Sequence, residues 1–182
     1  MTMLKVIQVL DKKFQPFLRA KEINEQVKNL ASRLNADYQG KRPLFISILN
    51  GSFMFAADLF RELNIEAEIS FIKLASYKGT RSTGNVVTSI GLDTPLKDRH
   101  VVIVEDIVDT GNTLYKFLPE LHNQHPASLK IVALLHKPSA LVHPLKIDYL
   151  GFSVPDKFLL GYGLDYDGLG RNLKEIYQLI EP

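Results

Sequence analysis

The chain contains no cysteine. That excludes disulfides, thiolate nucleophiles and cysteine-held zinc or iron–sulfur centres, and it fits a reducing, cytoplasmic setting. Long apolar runs are missing as well. None approaches the roughly 20 residues that a helix needs to cross a bilayer. The opening stretch MTMLKVIQVLDKKF places Lys5 among its apolar residues and runs into Asp11, Lys12 and Lys13, so it does not read as an export signal. Runs of Lys and Arg are absent too. The 22 basic and 20 acidic residues leave a net charge of +2. Binding a phosphate backbone requires clustered positive charge, so no nucleic-acid partner and no membrane are expected. Repeats, low-complexity segments and Pro/Gly/Ser linkers are lacking. At about 150 residues per domain, the 182 residues predict one domain, 1–182. The histidines (His100, His122, His125, His136 and His143) show no metal-ligand spacing beside an acid, and His122 and His125 read as neighbours near a helix C-terminus.

What remains is ordinary globular material, 46% apolar and 23% charged. From Ala20 to Asn35, Ile23, Val27, Leu30 and Leu34 recur at helical spacing. LFISIL, residues 44–49, is almost wholly apolar and suits a strand buried on both faces. Asn50-Gly51 then forms a tight loop into a helix, SFMFAADLFREL, with Ser52 as its expected cap. Strands are expected at Glu66–Leu74 and in VVTSIGL, with the polar loop ASYKGTRSTGN between them. The β-branched run Val101–Val104 marks a central strand, Thr113–Asn123 a short helix, and Lys130–Leu135 another buried strand. Alternation of this kind predicts an α/β fold with a mostly parallel central sheet flanked by helices. The last forty or so residues read as an irregular appendage of short strands and turns. Ligands of such sheets bind beyond the carboxyl ends of the strands, which directs attention to those loops.

The stretch VVIVEDIVDTGNTL, Val101–Leu114, carries the most chemistry. A buried strand runs into Glu105 and Asp106, whose carboxylates repel each other and resist burial; a cation or sugar hydroxyls would resolve that conflict. Asp109-Thr110-Gly111-Asn112-Thr113 then opens a helix, where exposed N–H groups and two hydroxyls make a phosphate cradle. In isolation Asp109 or Thr110 would read merely as a helix cap; attachment to the acidic strand end favours the cradle.

Val101–Leu114 resembles the ribose-5-phosphate loop of the type I phosphoribosyltransferases, and more narrowly that of the hypoxanthine-guanine phosphoribosyltransferases. Further segments follow in the family's order. Leu49-Asn50-Gly51-Ser52 looks like its pyrophosphate loop, and Ser76-Tyr77 like its closing loop. Leu134-Leu135-His136-Lys137 looks like the strand end bearing a purine-recognising lysine. Val154–Phe158 and Gly161–Tyr166 look like its base-stacking and metal-binding segments. The resemblance implies the type I phosphoribosyltransferase fold, with a small hood built from about residues 1–15 and 140–182. It also implies purine salvage, in which a 6-oxopurine displaces pyrophosphate from phosphoribosyl pyrophosphate with Mg2+ as cofactor. By the same resemblance Glu105 and Asp106 would hold the ribose hydroxyls, partly through magnesium, and Asp165 would bind a magnesium ion. Asp109 would serve as catalytic base toward purine N7, and Thr110, Gly111, Asn112 and Thr113 would bind the 5′-phosphate. Lys137 would meet the 6-oxo group, Phe158 would stack on the base with Lys157 beside it, and Leu159 would offer its backbone. Asn50, Gly51 and Arg171 would face the pyrophosphate, and Ser76 and Tyr77 would close over the substrate. A homodimer or homotetramer is the expected assembly.

Simpler readings compete residue by residue. A lone lysine after a buried strand is usually a solvated strand end, and Phe158 by composition is a core residue; only the ordered set of segments promotes them. GLDYDGLG superficially suggests a calcium loop, but Leu169 and Ile176 stand at its fifth and twelfth positions. Gly79–Asn85 lacks the lysine and hydroxyl of a nucleotide P-loop and reads instead as a lid. By the same resemblance, Asn50 stands where many relatives carry lysine, so the loop would keep its backbone contacts but not the positive charge. Two other functions compete: a nucleotide-sensing nucleic-acid binder, and a transferase for adenine or a pyrimidine. Lys137 opposes adenine, because an ammonium donates and a 6-amino group also donates.

Overall fold

The computed structural model describes residues 6–75, 87–90 and 94–181. Ile23, Val27, Leu30 and Leu34 are all buried along α1 (Ala20–Tyr38). The helix outruns the predicted end by one turn because Tyr38 continues the same apolar stripe and is itself buried. Strand β3 (Leu44–Leu49) is buried from Leu44 to Ile48 because parallel neighbours flank it on both sides, β4 (Glu68–Ala75) and β6 (His100–Val108). Beyond β6 lie β7 (Ser128–His136) and β8 (Tyr149–Ser153), also parallel, while β5 (Val87–Ile90) pairs antiparallel with β4 at the opposite edge. The resulting six-stranded order is β5-β4-β3-β6-β7-β8. Helices α1 and α2 (Phe53–Glu62) cover one face of this sheet, and α3 (Asn112–His122) covers the other. This is the mostly parallel α/β sheet that the alternating pattern predicts.

A second, antiparallel sheet draws on both chain ends. Its order is β1-β2-β10-β9, from β1 (Ile7–Val9), β2 (Lys12–Leu18), β10 (Ile176–Leu179) and β9 (Leu159–Leu160).

Four local expectations change. Residues 149–153, inside the stretch read as an appendage, form β8 and extend the central sheet. No helix precedes β8, only a 3₁₀ turn at Pro138–Ala140 and an extended loop, so the βα rhythm that would have revealed it is broken. Ser52 occupies the N-cap position of α2 but makes no side-chain cap: its buried hydroxyl donates to the Ile48 carbonyl at 2.5 Å and lies 2.7 Å from the Ser47 hydroxyl. The acids do not follow β6 but sit within it, since the strand continues through Glu105 and Asp106 to Val108. His125 lies past the end of α3 with φ 54°, so it shares no helix face with His122.

Candidate active site

The carboxyl ends of β3, β6 and β7 converge, and the segment 156–171 arches over them from the second sheet. On β6, Glu105 is 8% exposed. Burial, and then the neighbouring Asp106 charge, hold its carboxyl well above the usual carboxylate range. Burial also pushes Asp106 up to about 6, against the opposing pull of backbone N–H groups and Arg171. Two acids fixed in this way strongly favour a cation or hydroxyl donors beside them.

Immediately after β6 the chain turns through Gly111, whose φ of 75° suits glycine. Gly111 is the N-cap of α3, so neither Asp109 nor Thr110 occupies that position. Thr110 instead accepts the Asn112 N–H on its hydroxyl at 3.3 Å. A cavity of about 100 Å³ is lined here by Glu105 and by every residue from Ile107 to Leu114, which brings Thr110, Gly111, Asn112 and Thr113 together at the helix N-terminus.

Beside it lies a larger cavity of about 320 Å³. Its lining includes Gly51, Asp106 and Asp109, together with Lys137, Phe158, Leu159, Asp165 and Arg171. Lys137 directly follows β7, and its backbone N–H donates to Val108 of β6 at 2.9 Å. It is 7% exposed, and its ammonium lies 3.0 Å from Asp109 and 3.3 Å from Asp156. It is therefore a buried, doubly paired cation rather than a solvated strand end. Phe158 is 43% exposed, so it is no core residue. Its ring is braced by Phe14 at 6.3 Å and, edge to face, by Tyr166 at 5.9 Å.

Asp165 accepts the Gly168 N–H at 2.7 Å and pairs with Arg171 at 2.7 Å, while Arg171 also donates to the Gly163 carbonyl at 2.6 Å. These bonds cross-link 163–171 into a closed loop with both side chains at the cavity. The loop lies directly on the β3–α2 turn. A Cβ on Gly163 would stand 2.0 Å from the Gly51 carbonyl oxygen, and one on Gly51 would stand 1.8 Å from Asp106 Oδ2. Only glycine permits that stack. The Leu49–Asn50 peptide in this turn is cis.

Not every expected residue joins the site. Asn50 is exposed and outside the cavity lining. The Lys157 ammonium turns onto Glu181 at 2.7 Å. Ser76 and Tyr77 lie outside the described residues. Glu105, Asp106 and Asp165 do not form a protein-only cage; among the described residues no cluster of three or more His, Cys, Asp or Glu could hold a metal ion. Asp156, within Val154–Phe158, carries no sequence signal beyond the turn-forming Pro155-Asp156 pair. Asp58 carries none. It accepts the buried Tyr162 hydroxyl at 2.7 Å and so ties α2 to the arching loop.

The phosphoribosyl transferase domain family matches residues 17–167 of this chain. The hypoxanthine-guanine phosphoribosyltransferase of Lactococcus lactis is 43% identical over 166 residues, covering 90% of each chain. The hypoxanthine-guanine-xanthine phosphoribosyltransferase of Tritrichomonas foetus is 40% identical over 156 residues, covering 85% of each. Among solved structures, a hypoxanthine phosphoribosyltransferase from Staphylococcus aureus superposes with a TM-score of 0.86 at 38% identity, covering 91% of this chain and 90% of that one.

Proposed function

The chain belongs to the phosphoribosyl transferase family, and from that membership we propose that it is a purine-salvage enzyme. It transfers 5-phosphoribosyl from phosphoribosyl pyrophosphate to hypoxanthine or guanine, giving IMP or GMP and pyrophosphate. One observation carries the reading: a buried lysine, a carboxylate and an exposed aromatic face share one cavity, and that cavity adjoins a helix-terminus cradle of phosphate size.

In this reading the N–H groups and hydroxyls of Thr110–Thr113 hold the 5′-phosphate. Glu105 and Asp106 face the ribose hydroxyls. Phe158 stacks on the base, and Lys137 donates to its 6-oxo group. Asp109 takes the proton at purine N7, a role typically worth about 10²–10⁴-fold. Arg171 and the backbone of Gly51 face the pyrophosphate, where negative charge accumulates as the bond at C1′ breaks. Magnesium fits these residues as an ion shared with substrate oxygens, because it is usually held by one or two carboxylates plus phosphates rather than by a protein cage. Asp106 and Asp165 would hold it, Glu105 would stand behind them, and its charge would stabilise the leaving pyrophosphate. The second sheet is the hood that closes one domain, 1–182, over the base. A cytoplasmic address and a homodimer or homotetramer belong to the same reading. Among the described residues no helix is long and apolar enough to cross a membrane.

The test is product identification. Incubation with phosphoribosyl pyrophosphate, magnesium and hypoxanthine or guanine gives IMP or GMP with equimolar pyrophosphate, and chelating the metal stops it. Absence of product with hypoxanthine, guanine and xanthine alike would overturn the proposal.

A further inference from the structure

We propose that Asp156 is a positioning residue for base recognition: it holds the Lys137 ammonium at the cavity wall, so that Asp109 is released to the arriving base. The inference rests on the purine reading of this cavity. Lys137 faces carboxylates from two different directions, Asp109 at the end of β6 and Asp156 in the turn after β8, at 3.0 and 3.3 Å. The lysine is buried while both acids are about half exposed. An ammonium so placed needs a carboxylate partner, because an unpaired buried charge is strongly unfavourable.

Asp109 cannot be that partner throughout, since its proposed task is to accept the N7 proton. Were it the lone partner, turning toward the base would strand the ammonium. Asp156 removes the conflict. Its turn is also built to stay still. Val154 N–H donates to the His136 carbonyl at 2.8 Å, which fastens the turn to the end of β7. Pro155 fixes φ just before Asp156, and Lys157, just after it, is pinned to Glu181 at 2.7 Å. Asp156 thus serves as the permanent counter-ion and Asp109 as the exchangeable one. The direction in which Lys137 points, and with it the preference for a 6-oxo group, depends on a residue that need not touch the base.

Two measurements on the full chain test this, using Asp156→Asn and Asp156→Glu. In steady-state assays Asp156→Asn raises the KM for hypoxanthine about tenfold, the size of one lost charge-assisted hydrogen bond, and leaves the KM for phosphoribosyl pyrophosphate within about twofold. Asp156→Glu restores most of that loss. In the ligand-free protein, acylation of Lys137 by an amine-directed reagent, followed by mass spectrometry, runs several-fold faster in Asp156→Asn than in wild type. An unchanged hypoxanthine KM overturns the inference. So does a parallel rise in both KM values that Glu does not rescue, or an unchanged Lys137 labelling rate. A wild-type chain inactive on every 6-oxopurine instead overturns the purine reading, and the labelling rate then decides alone whether Asp156 anchors Lys137.

Discussion

Asp109 is half exposed and makes its one described side-chain bond to Lys137, so in its proposed role removing its charge should alter chemistry far more than folding. Asp109→Asn is expected to lower kcat at least about 10²-fold while leaving the melting temperature nearly unchanged; steady-state assay and calorimetry read both. Glu105 behaves in the opposite way. Burial raises it and Asp106, the latter from 3.8 to about 6, so the folded state prefers them protonated. That preference supports folding fully below the unfolded values near 4 and is lost as pH rises through the folded ones. For Asp106 the loss is roughly 2–3 kcal/mol at about 1.4 kcal/mol per unit. Without metal or nucleotide, Glu105→Gln should therefore melt higher than wild type at pH 7.5 and nearly level with it at pH 5. Equal differences at both pH values would contradict this. At this scale the sequence was readable where a local pattern carried the residue, as with the D-T-G-N-T loop. It was silent where the partner came from afar: nothing near Asp156 tells that Lys137 lies beside it, and nothing near Lys157 tells that it turns to Glu181.

The elements that matter most are the β3–α2 turn and the 161–171 loop packed on it. Gly51→Ala would drive a methyl into Asp106 Oδ2. The carboxylate must then move, and we expect kcat/KM to fall at least about 10²-fold, since small misplacements at a reacting centre cost that much. Assays at saturating and limiting phosphoribosyl pyrophosphate separate binding from turnover. Tyr162→Phe deletes the 2.7 Å bond to Asp58 and leaves that carboxylate with Arg61 alone among its described partners. The expected loss is about 1–2 kcal/mol in urea unfolding. Strands β3, β6 and β7 were legible because fully buried parallel strands read as β-branched and apolar runs. The place of β8 in this sheet was not, because no helix precedes it and the βα rhythm that marks a parallel strand is broken. Nor was the fate of Ser52, whose hydroxyl the buried Ser47 and Ile48 claim ahead of the helix N-terminus.

Across the whole molecule, a mostly parallel sheet delivers the acids and the Asp109–Thr113 loop at its carboxyl ends, and an antiparallel sheet from both chain ends delivers Phe158 and Leu159 from the far side. The larger cavity lies where the two meet, which is why a net charge of +2 carries no information about it. Acids at 105, 106, 109 and 165 oppose Lys137 and Arg171 within that one region. In the proposed function this region recognises a 6-oxopurine through Lys137. The most direct test of that recognition is kcat/KM for hypoxanthine and guanine against adenine, with phosphoribosyl pyrophosphate and magnesium held constant. A site built to donate to an oxygen should prefer one of the 6-oxopurines by at least about 10³-fold. Comparable turnover of adenine, or none with either 6-oxopurine, would contradict recognition through Lys137.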